Sequence, residues 1–208
     1  MGRRNQSVEK KALIVNAFMH AVHDLGFDSA TMGEVASRVG LDRSSIHHYF
    51  KTRELLVDEA GAHISKTYLE RVAASISSLS SKNRFNYLIE YLFGEGFHDK
   101  FLANLIDELS AAANRNTSIE NSVRHIYKSV EEMIIAEVDA AYPDTKRAMR
   151  RDLAYAVNAL VEGYTVFKSM NWGSDRQKAA RKAAFKLVAI FELESAGTLK
   201  LQTPQLEP

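Results

Sequence analysis

Nine consecutive residues in the first quarter of the chain, Arg43-Ser-Ser-Ile-His-His-Tyr-Phe-Lys51, set two cations, two small hydroxyls, two imidazoles and two aromatic rings around one aliphatic side chain. Ser44 and Ser45 are small enough, on the outer face of a short helix, to let its backbone approach the floor of a nucleic-acid groove. There their hydroxyls can donate to or accept from base edges. Arg43 suits either a bidentate pair with guanine or a clamp on a phosphate, and His48, Tyr49 and Lys51 suit the sugar–phosphate backbone. Each residue also has a plainer role open to it: Tyr49 could pack its ring in a core, and Arg43 could simply be solvated. The conjunction in one short segment, rather than any single side chain, points to double-stranded DNA.

Elsewhere the residue types of catalysis do not assemble. His20 and His23 stand at i,i+3, Glu59 and His63 at i,i+4, and Glu95 and His98 at i,i+3. A di-iron bundle needs two Glu-x-x-His motifs with further glutamates, and no His-Glu-x-x-His zinc motif occurs. Gly94-Glu-Gly96 lacks a third glycine and a preceding strand, and a nucleophile elbow is missing. With no cysteine, disulfides, thiolate metal sites and cysteine nucleophiles all drop out. The expectation is a protein without catalytic residues, cofactor or metal.

The segment 43–51 needs a frame, and the residues before it supply one. Ile14, Phe18, Ala21, Val22 and Leu25 recur at the three-and-four spacing of a helix over 8–25. Gly26 stops it, with Phe27 placed to fold back on the last turn. Thr31-Met-Gly-Glu34 reads as a capping box opening a second helix that runs to Val39. Gly40 ends that helix, and Asp42 is placed to cap a third over 43–49. Two short helices around a glycine turn are the spacing of a helix-turn-helix, whose second helix enters the major groove. Thr31, at a helix start, can add its hydroxyl and free amides to a phosphate. Arg3, Arg4, Lys10 and Lys11 stand ready for further backbone contacts. Residues 1–53 hold eight Lys and Arg against five Asp and Glu, a charge of +3 inside a chain of net +1, so the remainder carries −2. That asymmetry favours a polyanion at the N-terminal end.

The stretch Thr31-Met-Gly-Glu-Val-Ala-Ser-Arg-Val-Gly-Leu-Asp-Arg-Ser-Ser-Ile-His-His-Tyr-Phe-Lys-Thr-Arg-Glu-Leu-Leu56 resembles the DNA-binding domain of the TetR family of bacterial transcriptional regulators. The matching positions are the capping Thr31, Val35-Ala36, the Gly40-Leu41 turn, Asp42, Arg43, Ser44, Ser45, Ile46, then His48-Tyr49-Phe50-Lys51 and Glu54-Leu55-Leu56. The likeness reaches back through Leu25-Gly26-Phe27 and covers about the first sixty residues. His47 stands where the family usually has tyrosine. The resemblance implies DNA contacts from Thr31, Arg43, Ser44, Ser45, His47, His48, Tyr49 and Lys51, with the cluster at the end of the third helix anchoring it on the backbone.

Only three prolines occur, and Pro143 alone interrupts the body of the chain, which suits long helices. The pattern predicts helices after Thr52, over 84–97, over 100–113, on the stripe from Ile119 to Val138, over 144–172 with Pro143 in its first turn, and over 176–196. Residues 197–208 read as a disordered tail. The expected fold is all-α, with a three-helix DNA-binding domain at 1–53 and a larger helical domain at 54–196. The resemblance implies that this second domain binds a small-molecule effector and pairs the subunits into a homodimer through its last two helices. Ala156, Ala159, Leu160, Gly163 and Phe167 would face Ala180, Ala184, Leu187, Val188 and Phe191 there, although an intrachain core would use the same residue types. Tyr87, Tyr91, Phe97, Tyr127, Tyr155 and Tyr164 are candidate ligand-contacting aromatics.

The function implied is a sequence-specific, cytoplasmic transcriptional regulator, a repressor that binds a palindromic operator as a homodimer under control of a small ligand. The alternative is a helical ligand- or protein-binding module that has lost DNA recognition. No signal peptide or membrane span is legible, since apolar runs are short and broken by charge.

Overall fold

The computed structural model describes residues 2–94, 97–170 and 174–199, the side chains of 2–5 and 174 excepted. Among these residues the chain is all-α. The helices are α1 (Gly2–Leu25), α2 (Met32–Arg38), α3 (Arg43–Tyr49), α4 (Arg53–Ile76), α5 (Ser81–Leu92), α6 (Lys100–Ala113), α7 (Thr117–Ala141), α8 (Arg147–Ser169) and α9 (Ser174–Ser195). Trp172, Glu95, Gly96 and the tail from residue 200 lie outside the described residues. No described helix is long and apolar enough to cross a membrane.

The chain divides into two compact units, and the division does not follow the boundary expected at residue 53. One unit comprises 1–69 with 99–129, the other 70–98 with 130–208. Helices α4 and α7 therefore each give residues to both. In the first unit, α1 packs on α2 and α6, and α2 on α3. Ile14, Phe18, Ala21 and Val22 of α1 are buried as their spacing requires, together with Val35, Ala36, Ile46, Phe50 and, from α6, Leu105 and Leu109. Phe27 does fold back: its ring meets Phe18 edge-on at 6.5 Å. Gly61 of α4 lies against α7, where an added Cβ would sit 3.5 Å from the Ser122 carbonyl oxygen. Beside it the Ser122 hydroxyl donates to Asp58.

In the second unit, α8 and α9 form an antiparallel pair, and α5 packs on α9. Phe167 near the end of α8 lies under the Arg176 guanidinium at the start of α9 (5.8 Å), while Met149 and Ser195 line one recess at the opposite end. The core is Phe85, Leu88, Ile89, Leu92, Ile134, Val138, Leu153, Ala154, Val157, Val161, Ala184, Val188 and Phe191. Three residues expected on a dimer face, Ala184, Val188 and Phe191, are thus committed to the core of their own protomer. Tyr142 is wedged edge-on between Phe85 (6.0 Å) and Phe191 (4.9 Å). Its hydroxyl donates to Glu192 (3.0 Å), and burial pushes its ionisation up.

Two helix ends differ from expectation. Helix α5 stops at Leu92 rather than near 97, with Phe93 as its cap; a Cβ on Gly94 would lie 3.0 Å from the Glu90 carbonyl oxygen, a tight approach that glycine relieves. Pro143 sits in the turn ahead of α8, not in the helix, whose cap is Lys146. Arg150 closes that turn, bonding Asp139 (2.5 Å) and the carbonyls of Pro143 (3.0 Å) and Thr145.

Candidate nucleic-acid interface

The short helix α3 is held at both ends. At its start Asp42 has extended φ/ψ (−77°, 160°), and its Oδ1 accepts the Ser45 amide at 2.7 Å, an N-cap. The same carboxylate accepts the Ser44 hydroxyl at 2.6 Å and the Ser45 hydroxyl at 3.1 Å. These donors, the Ser44 hydroxyl first, hold the Asp42 carboxyl below the usual carboxylate range. At the other end the His47 ring hydrogen-bonds the Lys51 carbonyl oxygen at 3.2 Å. A carbonyl can only accept, so Nδ1 carries the proton in that contact. Position 47 thus ties the last turn of α3 to the residue that follows its cap.

The turn between α2 and α3 follows from Gly40. Its φ of +65° is a conformation other residues rarely adopt. The Leu41 amide then reaches back to the Ala36 carbonyl (3.0 Å) and the Gly40 amide to that of Ser37 (3.3 Å), a Schellman closure. At the head of α2 the capping box is half made. Thr31 Oγ1 accepts the Glu34 amide at 3.2 Å, but the Glu34 carboxylate turns to Arg38 Nε (2.8 Å) instead of the Thr31 amide. Arg38 also binds Asp24 (2.7 Å), tying α2 to the end of α1.

The result is a two-faced helix. Ile46 is fully buried and Phe50 nearly so, fixing α3 to α2 and the core. Arg43, Ser44, His47, His48 and Lys51 are exposed, with Ser45 and Tyr49 half-buried beside them. The His48 and Tyr49 rings meet edge-on at 5.3 Å. Both line an open cleft of about 710 Å³ with Gln6, Ser7, Glu9, Lys10 and Leu13 of α1, so Lys10 shares the face carrying the end of α3. Lys11 lies over the Phe50 ring at 5.7 Å. Thr31 is exposed. The residues singled out from 43 to 51 therefore lie on one short capped helix and the two residues that follow it, polar side chains outward over an aliphatic and an aromatic anchor.

A family model described as bacterial regulatory proteins, tetR family, matches residues 14–60, which span the end of α1, all of α2 and α3 and the start of α4. Residues 14–60 therefore carry a TetR-family helix-turn-helix domain, the DNA-binding part of a transcriptional regulator. A regulator described as an uncharacterised HTH-type transcriptional regulator in the dhlA 5′ region of Xanthobacter autotrophicus is 24% identical over 174 residues, 79% of this chain and 80% of the relative. Among solved structures, a TetR transcription regulator from Haloarcula marismortui superposes with a TM-score of 0.72 at 15% identity, covering 88% of this chain and 97% of that one. A Saccharomonospora viridis protein crystallised in complex with choline gives 0.67 at 15% identity, covering 88% and 96%. At these identities the structures speak to the TetR fold.

Several residues that position the TetR-type domain left no local signal in the sequence. The turn after α1, where Gly26 has φ +80°, is gripped from two directions. The Phe27 amide donates to Glu108 Oε2 of α6 at 3.1 Å. Its carbonyl accepts from Arg53 at the head of α4, whose guanidinium also stacks 3.9 Å from the Phe27 ring centre. Burial lowers the ionisation of that guanidinium. Sequence separations of 81 and 26 residues hide both partners from any periodicity. Of the six candidate ligand aromatics, Tyr91 and Phe97 meet edge-on at 6.2 Å, and Tyr164 joins Phe93 (5.8 Å) and His98 (5.0 Å), with Phe97 and His98 in contact at 5.6 Å. Tyr87 and Tyr127 are exposed, and Tyr155 is 67% exposed on α8.

Proposed function

We propose that the chain is a homodimeric repressor that places α3 of each protomer in successive major grooves of a palindromic operator and leaves it when a small molecule binds the C-terminal helices. The observation that carries the DNA-contact assignment is the capped α3 with Arg43, Ser44, His47, His48 and Lys51 outward over buried Ile46 and Phe50. On this reading Arg43, Ser44, Ser45 and His47 meet the groove, while Thr31, His48, Tyr49 and Lys51 hold the backbone.

Pairing of subunits is supported by the outer faces of α8 and α9. Val166 and Phe167 of α8, its cap Met170 and Leu193 of α9 stay exposed, the last at 46%, and an apolar groove of about 220 Å³ lies between Ala159, Gly163, Phe167 and Ala179. Two copies of such a face would bury it across a two-fold axis. Control by a ligand is supported by fold relatives solved with small molecules, the choline complex and a multidrug binding protein complexed with imidazole. The grip of Arg53 and Glu108 on Phe27 offers a path by which shifts of α4 and α6 reach the helix-turn-helix. An effector must bind the DNA-incompetent arrangement more tightly to act this way.

The test is selection from random duplexes followed by titration of the enriched site. Enrichment of a palindrome, salt-sensitive binding and loss of affinity in a Tyr49→Ala, Lys51→Ala double variant are expected. Full affinity in that variant would remove the assigned DNA face.

A further inference from the structure

Along α8, Asn158, Glu162 and Thr165 stand at i, i+4 and i+7, one stripe beside the buried row Ala154, Val157 and Val161. Asn158 Oδ1 and Thr165 Oγ1 are shut away from solvent, and no hydrogen-bond partner among the described residues reaches either. Between them Glu162 is half-buried, and no described cation or donor pairs with its carboxylate. Folded proteins satisfy nearly all enclosed polar atoms, because an acceptor taken from water and given no donor loses its hydration without return. Two such oxygens flanking an unpaired carboxylate on one stripe describe a place whose donors come from outside the chain.

We propose that this stripe is the polar anchor of the effector site and takes a protonated amine or amidinium, whose N–H groups donate to Glu162, Asn158 Oδ1 and Thr165 Oγ1. The proposal rests on the reading of the chain as an effector-controlled regulator and names the chemistry of that effector. Burial alone lifts the Glu162 carboxyl to about 7, so a bound cation restores what desolvation removed, and charge-assisted bonds then outweigh neutral ones. A metal ion fits poorly: the stripe has one carboxylate, and no group of three His, Cys, Asp or Glu able to hold a metal occurs among the described residues.

The experiment uses the full chain and matched probes: 2-phenylethylammonium, cyclohexylammonium and benzamidinium, with 2-phenylethanol, cyclohexanol and benzamide as their neutral counterparts. Calorimetric titration and thermal shift are run on the wild type, Glu162→Gln and Thr165→Val. The expected result is that a cation binds the wild type at least tenfold more tightly than its neutral counterpart. Glu162→Gln then weakens the cation at least tenfold, Thr165→Val weakens it a few-fold, and both change the neutral probe less than the cation. Cations binding no better than neutral probes would overturn the proposal. So would unchanged cation binding in Glu162→Gln, or a change in dimerisation alone. The same proteins are titrated with the selected duplex. Neutral probes that release it equally from wild type and Glu162→Gln would leave effector control standing and remove the cation anchor. Glu162-dependent cation binding that leaves duplex affinity untouched would do the reverse.

Discussion

Replacing Glu162 by glutamine keeps the side chain's shape and fixes it in a neutral form, and the consequence for stability depends on pH in a way the structure sets. In the unfolded chain the carboxyl titrates near 4.5, and in the folded protein burial holds it near 7. Between those values the folded state keeps a proton the unfolded state has lost. Wild-type stability therefore falls as pH rises through this window and levels off above it. At about 1.4 kcal/mol per pH unit the loss amounts to roughly 3 kcal/mol. The glutamine variant escapes it. Its stability relative to wild type is expected to be near zero at about pH 4.5 and to reach roughly 3 kcal/mol in the variant's favour by about pH 8. Urea unfolding followed by far-ultraviolet circular dichroism, at one protein concentration and at both pH values, measures the difference directly, and the pH response of all other groups cancels between the two proteins. A difference that does not change with pH, or one that grows toward acid, would refute the assignment of a lone desolvated carboxylate on α8.

Three further outcomes are expected. Gly40→Ala meets no atom within 4 Å but forces an L-residue to φ +65°, so it should destabilise the protein by about 1 kcal/mol and weaken duplex binding by misplacing α3, read by denaturation and by anisotropy. Lys51→Ala should reduce the slope of log affinity against log salt by about 1 per protomer while leaving the preferred duplex sequence unchanged; an altered consensus would mean that Lys51 reads bases. Leu193→Asp, on the exposed side of α9, should shift the protein toward monomer by at least tenfold in sedimentation equilibrium without lowering its helical content, and an unchanged dimer would move the pairing surface off α9.

What could be read from the chain alone follows the range of the interactions involved. Helix α3 has the expected bounds because its determinants, Gly40, Asp42 and the alternation of Ile46 and Phe50 with polar residues, all act within ten residues. The half-made capping box was not legible, because Glu34 is drawn off by Arg38, which bridges to Asp24 on another helix. The grip on Phe27 by Glu108 and Arg53 and the two-unit division arise from packing between segments far apart in sequence. Ala184, Val188 and Phe191 show the same limit: an apolar stripe states that a face is covered, not whether its own protomer or a second one covers it. The acceptors on α8 are invisible for a related reason, since Asn, Glu and Thr on a helix look solvated until their neighbours are known.

Asp42 does more than start a helix. By taking the hydroxyl protons of both Ser44 and Ser45, it sets the polarity of the small groups at the tip of the recognition helix. Turned toward a base edge, two serines in this state offer lone pairs and no protons. They would welcome the exocyclic amino groups of adenine or cytosine, and would have to break from Asp42 before donating to the O6 or N7 of guanine or the O4 of thymine. One carboxylate outside the proposed set of DNA contacts would in this way bias which letters the operator carries at two positions. Substituting it by asparagine would replace one acceptor with an N–H donor, free one serine proton and redistribute that preference.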